Sequence, residues 1–151
     1  MAAVAATVLE FEPDEEEHSI SSKADALVLF NPVIDNGPGG AGHDRVKERW
    51  REFSPKHNIA AGVPPAIVFL GTEDYLIPVS TAEEFQRRMN EVGARCDLLT
   101  YGQPHAFFNH CDGSNPYYNA TACEADRFLA SLGYLDGEPT LKTEAVEAIC
   151  Q

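Results

Sequence analysis

Ala66-Ile67-Val68-Phe69-Leu70-Gly71-Thr72-Glu73-Asp74 is an uninterrupted apolar run that stops in a glycine turn carrying two acids. A run of this length with no polar alternate is the pattern of a strand covered on both faces, as in a parallel sheet. Leu98-Leu99-Thr100-Tyr101 repeats the arrangement and ends in Gly102-Gln103-Pro104-His105-Ala106-Phe107-Phe108. Each segment places one ionisable residue, Asp74 or His105, in the turn just past the C-terminal end of a predicted strand. Open α/β sheets build their sites at that edge.

The rest of the chain supports the same reading. Ala26-Leu-Val-Leu-Phe30 is a third continuous apolar run, stopped by Asn31-Pro32, and Asp35-Asn36-Gly37-Pro38-Gly39-Gly40 reads as loop. Residues 2–10 are Ala-rich, with almost no polar face, and predict a buried helix. Residues 43–53 predict a charged helix with Val46, Trp50 and Phe53 as its one apolar stripe, ended by Ser54-Pro55. Val63-Pro64-Pro65 leads into the strand at 66–71. Between the second and third strands, Ser80-Thr-Ala-Glu83 reads as a capping box. Ala82, Phe85, Met89 and Val92 then follow at helical spacing, and Gly93 sits at C′. A last helix is predicted from about 119, with Thr121-Ala-Cys-Glu124 as a second capping box, an apolar face of Ala125, Phe128, Leu129 and Leu132, and Gly133 at its end. Strand, helix, strand, helix, strand, helix is the signature of a parallel α/β sheet.

Composition narrows the function. The chain has 151 residues and is 44% hydrophobic, enough for one domain with a core. A formal net charge of −13 argues against nucleic-acid partners and anionic membrane surfaces. No apolar run approaches a membrane span, and the apolar N-terminus lacks the basic residues of a signal peptide, so no compartment is assigned. Cys96, Cys111, Cys123 and Cys150 show no C-x-x-C spacing and read as ordinary thiols, with a Cys111–Cys123 pair open in an oxidising compartment. Glu12-Pro-Asp-Glu-Glu-Glu-His18 reads as a solvated acidic loop rather than a metal site.

Asp74 and His105 suit nucleophilic acyl transfer. A serine hydroxyl needs a base to take its proton, and histidine titrates in the right range to do so. A carboxylate on the far ring nitrogen holds the tautomer and stabilises the imidazolium. The bland alternative is that Asp74 caps the turn before Pro78 and His105 is an ordinary loop residue. An acid followed one strand–helix unit later by a histidine is the second half of a Ser…Asp…His chain order, yet no G-x-S-x-G occurs in the sequence.

Four segments occur in the order and rough spacing of one known group: Phe30-Asn31-Pro32-Val33-Ile34-Asp35-Asn36-Gly37, Ser54-Pro55-Lys56-His57-Asn58-Ile59, Pro65-Ala-Ile-Val-Phe-Leu-Gly-Thr-Glu-Asp74 and Gly102-Gln-Pro-His-Ala-Phe-Phe-Asn109. The chain thereby resembles the C-terminal half of α/β-hydrolase-fold esterases, the acetyl-esterase and acetylxylan-esterase-like group related to the prolyl oligopeptidase catalytic module. The likeness runs from the Ala-rich helix to Ser131-Leu-Gly-Tyr134. It implies Asp74 as triad acid and His105 as triad base, with no metal or organic cofactor. Helix 2–10 resembles the one that follows the nucleophile elbow, so the Ser and oxyanion donors would lie upstream of Met1 and the helix start would point at His105.

Other residues rank lower. Asp35 also follows a strand but lacks the Gly-Thr-x-Asp turn, and His57 reads as a loop anchor. His110-Cys111-Asp112 fits neither a thiol nucleophile nor a zinc set. Asn119-Ala-Thr121 matches a glycosylation sequon, and Asn36–Gly40 lacks the lysine of a phosphate loop. The expected architecture is a partial α/β-hydrolase domain over residues 1–151, with core elements in 1–133, a tail in 134–151, about three parallel strands with flanking helices, and no nucleophile elbow. The expected function is the acid and histidine of a serine ester hydrolase, inactive alone. Its full-length enzyme would take a small-molecule or carbohydrate ester, and the isolated chain would self-associate. The rival readings are a non-catalytic, partner-binding α/β-hydrolase-like remnant and an unrelated Rossmann-like or flavodoxin-like domain. The second is weakened by the lack of a glycine-rich turn after the strand at 26–30.

Overall fold

The computed structural model describes residues 2–8, 23–109 and 115–141. The three apolar runs form three parallel strands, β1 (Leu27–Phe30), β2 (Ala66–Gly71) and β3 (Cys96–Tyr101), in the order β1-β2-β3. Leu27, Ala66 and Cys96 stand in register across the sheet. Every residue of central β2 is buried, which accounts for its lack of polar alternation. Leu27, Leu29, Ala66, Val68 and Cys96 face one side and pack on Ala3 and Ala6 of α1 (Ala2–Thr7) and Phe85 and Met89 of α4 (Val79–Glu91). On the opposite side, Ile67, Phe69 and Tyr101 pack on Phe128 of α5 (Pro116–Ser131), with Val28, Leu99, Ala125, Leu129 and Leu132 around them. Helices thus cover both faces.

The helix over 43–53 is broken, contrary to the expectation of one element. It consists of α2 (His43–Val46), a 3₁₀ turn (Lys47–Arg49) and α3 (Trp50–Phe53), with Lys47 at φ 48°. Its apolar stripe is only half-buried, too little tertiary packing to hold one continuous helix. Neither capping box forms. The N-cap of α4 is Pro78, which leaves Ser80 inside the helix. The N-cap of α5 is Asn115, whose side chain accepts from Tyr117 and Tyr118 N–H with Pro116 at the first helical position, so the helix starts earlier than expected. Both C-termini do end at glycine: Gly93 (φ 79°) and Gly133 (φ 82°) close Schellman turns, with Ala94 N–H on Met89 O and Tyr134 N–H on Leu129 O.

Ala3, Val4, Ala6, Thr7 and Val8 are buried, as the composition of the N-terminal helix requires. Residues 9 and 10 of that predicted helix, Met1, the acidic segment 12–18, His110, Cys111, Asp112 and Cys150 lie outside the described residues. Cys123 is a free, buried thiol that donates to Leu141 O at 3.6 Å. Burial pushes the Cys96 thiol up to about 12, which makes it inert. No helix among the described residues is long and apolar enough to cross a membrane.

Candidate active site

Asp74 and His105 reach each other because the turns after β2 and β3 are zipped together. Thr72 N–H donates to Tyr101 O at 2.7 Å and Glu73 N–H to Gln103 O at 3.1 Å. Gly71 permits this approach, since a Cβ there would lie 2.1 Å from Gln103 O and 2.8 Å from Pro104 O. Gly71→Ala is therefore expected to force the turns apart and destabilise the chain by about 1–3 kcal/mol, the usual cost of overpacking. Gly102, whose added Cβ would meet nothing within 4 Å, is the control, and Gly102→Ala should stay within about 1 kcal/mol of wild type, the propensity difference between the two residues. Urea denaturation of the two variants measures the contrast.

The His105 turn is held from its far side by aromatic packing. Phe107 and Phe108 follow His105 after the single residue Ala106, with ring centroids 4.9 Å apart. Phe108 meets Phe30 at 4.9 Å, and Phe30 stacks on Phe69 at 4.9 Å. Phe107 also meets Tyr101 at 5.1 Å and Tyr117 at 5.4 Å. Asn115 Nδ2 donates to Phe107 O and Asn109 O, tying the turn to the start of α5. Ala106, next to His105, sits at φ 63°, a left-handed conformation that a non-glycine residue holds only under constraint.

The result is a histidine–carboxylate pair. His105 Nδ1 lies 2.8 Å from Asp74 Oδ2. The Asp74 side chain is fully buried, and the His105 ring is 29% exposed. Asp74 Oδ1 accepts from Leu76 N–H at 2.8 Å and Ile77 N–H at 3.1 Å, so the turn-capping role and the histidine contact coexist in one carboxylate. With Nδ1 donating to Asp74, Nε2 is left as the basic nitrogen.

Burial raises the Asp74 pKa, but the hydrogen bonds from His105 and from Leu76 and Ile77 N–H outweigh it and hold the carboxyl below its ordinary 3.8. Because the folded value is lower than the unfolded one, the ionised carboxylate contributes stability that is complete above 3.8 and lost as pH falls through the folded value. Melting midpoints of wild type and Asp74→Asn should therefore differ near neutral pH, begin to approach each other as pH falls past 3.8, and converge only below the lower folded value, where the carboxyl is neutral in both states.

Asn31, read from the sequence only as a strand stop, belongs to this site. Its Nδ2 donates to Asp74 Oδ2 at 2.6 Å and lies 3.1 Å from His105 Nδ1. Asn tolerates left-handed backbone better than most residues, and Asn31 sits at φ 40°, which was the only local hint. Asp35 is taken up elsewhere, ion-paired to Lys56 at 2.5 Å and capping Gly37 N–H at 2.9 Å. His57 anchors its loop through Ser54 Oγ at 2.8 Å and packs on Trp50, and the same Nδ1 faces Asp35 at 3.8 Å. One ring nitrogen serving both neighbours rules out a relay through Ser54, which is itself fully buried. The sequon Asn119-Ala-Thr121 lies within α5, with the Thr121 hydroxyl buried and donating to Tyr117 O. Among the described residues no cluster of histidine, cysteine or acidic side chains is arranged to hold a metal.

Three parallel strands between two helical layers, with an acid and a histidine paired in the turns after consecutive strands, match part of the α/β-hydrolase fold. Over nine-tenths of its length the chain is similar to solved esterases of that fold. It is similar to esterase 2 of the planctomycete Thermogutta terrifontis. The propionate-bound enzyme is 38% identical over 91% of this chain and 53% of that one, with a TM-score of 0.76. The form phosphoramylated by tabun is 39% identical over 90% of this chain and 52% of that one, with a TM-score of 0.79. A probable isoprenylcysteine alpha-carbonyl methylesterase of Arabidopsis thaliana is 34% identical over 68 residues, 39% of this chain and 14% of that protein. No family model matches the sequence. The chain spans about half the length of the solved esterases it matches.

Proposed function

We propose that this chain supplies the acid and the base of a serine carboxylic-ester hydrolase, with Asp74 as triad acid and His105 as triad base. The observation that carries the reading is the fully buried Asp74 carboxylate, 2.8 Å from His105 Nδ1, in a chain 38% identical to a solved esterase. In this reading the nucleophilic Ser and the oxyanion donors come from residues ahead of α1. His105 Nε2 takes the proton of the Ser hydroxyl as it attacks the ester carbonyl and returns it to the leaving alcohol. It then deprotonates the water that cleaves the acyl-enzyme. Asp74 stays ionised throughout and stabilises the imidazolium. The substrate is a small-molecule or carbohydrate ester, and no cofactor enters.

The purified chain by itself should turn over short-chain aryl esters no faster than free imidazole, because no acyl-enzyme forms and nothing binds the oxyanion. A longer product of the same gene, read upstream of the Met1 codon through an in-frame G-x-S-x-G, should be active and labelled by a fluorophosphonate. Labelling of the 151-residue chain alone contradicts the missing nucleophile. An inactive longer product that carries the Ser contradicts the esterase reading.

Self-association of the isolated chain belongs to the same proposal. Among the described residues β1 pairs only with β2, and Phe30 at its end is 41% exposed. The other edge of β1 carries no charge, Pro or Gly to discourage pairing. Size-exclusion chromatography should find species larger than a monomer. A monomer with a sharp melt above about 60 °C would contradict this.

A further inference from the structure

We infer that Asn31 is a positioning residue of the Asp74–His105 pair, holding the Asp74 carboxylate so that His105 keeps its proton on Nδ1. The inference rests on the esterase reading for its consequence in catalysis, but the geometry stands without it. Three turns meet at one oxygen. Asp74 Oδ2 receives Asn31 Nδ2 at 2.6 Å from the end of β1 and His105 Nδ1 at 2.8 Å from the end of β3, while Asp74 itself follows β2. The Asn31 backbone is pinned as well, its N–H donating to Phe69 O at 2.9 Å in the middle strand. The amide is thus delivered by the sheet rather than by a loop.

Two features make this contact costly, and both are kept. Asn31 holds φ 40°, where a non-glycine backbone is strained. Its Oδ1 is buried and finds no donor among the described residues. Turning the amide over would offer Oδ1 to another environment, but it would also place an oxygen 2.6 Å from the Asp74 carboxylate, which repels it. The orientation with Nδ2 on Asp74 is therefore the favourable one, and the orphaned oxygen is its consequence. Leu76 and Ile77 N–H fix Oδ1 of Asp74, and Asn31 fixes Oδ2. With both oxygens held, the carboxylate cannot rotate away from the His105 ring.

The test is NMR of the full chain with isotopically labelled histidine ring nitrogens, reading solvent exchange of the His105 Nδ1 proton. Asn31→Gly removes the amide but accepts the left-handed backbone without strain. The expected result is a folded protein in which that proton exchanges about tenfold faster, the size of one hydrogen bond to a charged group. Wild-type exchange in a folded Asn31→Gly variant overturns the inference, because the residue would then serve only the turn. Should Asn31→Gly not fold, the double substitution Asn31→Asp with Asp74→Asn decides. The amide placed at 74 keeps its oxygen on Leu76 and Ile77 N–H and turns its N–H toward the carboxylate placed at 31, within reach of His105. Recovery of slow exchange supports the inference, and its absence overturns it. A wild-type chain without a protected Nδ1 proton overturns the Asp74–His105 pair itself, and with it the esterase reading. Loss confined to the variants touches Asn31 alone.

Discussion

On the proposed triad, Asp74→Asn is expected to lower the ester-hydrolysis kcat of the longer, Ser-carrying product roughly ten-thousandfold with the fold retained, the scale seen when a triad acid becomes an amide. The substituted side chain is nearly isosteric, and its oxygen still accepts from Leu76 and Ile77 N–H, so the turn after β2 survives. Its NH₂ group would replace Oδ2, 2.8 Å from His105 Nδ1 and 2.6 Å from Asn31 Nδ2. Donor then faces donor on both sides. His105 escapes by moving its proton to Nε2, which leaves Nδ1 to accept and removes the base from the substrate side. The loss should fall on kcat more than on KM, since the acid touches no substrate. Thermal melting separates the chemical effect from unfolding, with about 1–3 kcal/mol of destabilisation expected from the unmatched donors. A variant within tenfold of wild-type kcat would remove Asp74 from the role of triad acid.

Phe69→Ala should have the largest effect on stability, about 3–5 kcal/mol, a large part of what an ordinary domain possesses. Phe69 is fully buried in the central strand, against Phe128 of α5 on one side and the Phe30 ring at 4.9 Å on the other. Removing the ring opens a cavity where β2 meets α5, and a close-packed interior refills only part of it. The consequence reaches the site, because Phe30 passes the packing on to Phe108 and Phe107, which belong to the same turn as His105. Urea denaturation followed by both far- and near-ultraviolet circular dichroism measures the loss. Phe69→Leu, which keeps most of the volume, should cost less than about 1.5 kcal/mol. Equal losses in the two variants would mean that the cavity is not what destabilises the chain.

Much of the fold was legible because its signals are local. A continuous apolar run identifies a strand covered on both faces; β1 and β2 fall inside the runs that announce them, and β3 begins two residues ahead of its run, at Cys96. Glycines just past the last apolar residue mark α4 and α5 ends for a backbone reason, the left-handed conformation at C′. Helix starts were less legible. Ser80-Thr-Ala-Glu83 has the letters of a capping box, yet the chain leaves the Asp74 turn through buried Ile77 and enters the helix at once, so Thr81 N–H is satisfied by Pro78 O. Asn115-Pro116 is the better N-terminal signal, and it was hidden by a second box downstream. The helix over 43–53 broke because periodicity reports which residues share a face, not whether anything covers that face.

A parallel α/β sheet, with an acid and a histidine in the turns after consecutive strands, was readable from the chain alone. Both follow from residue type and spacing along one short stretch. The tertiary structure decided which polar groups meet. Asp35 and Asp74 each follow a strand, but Lys56 takes the first and His105 the second. Asn31 is 43 residues from Asp74 and 74 from His105, and it reaches both only because parallel strands deliver their C-terminal turns to one edge. Hydrogen-bond partners at such separations leave no periodic trace in the chain. They are set by how β1, β2 and β3 align, and that alignment is fixed by the burial of apolar side chains on both faces of the sheet.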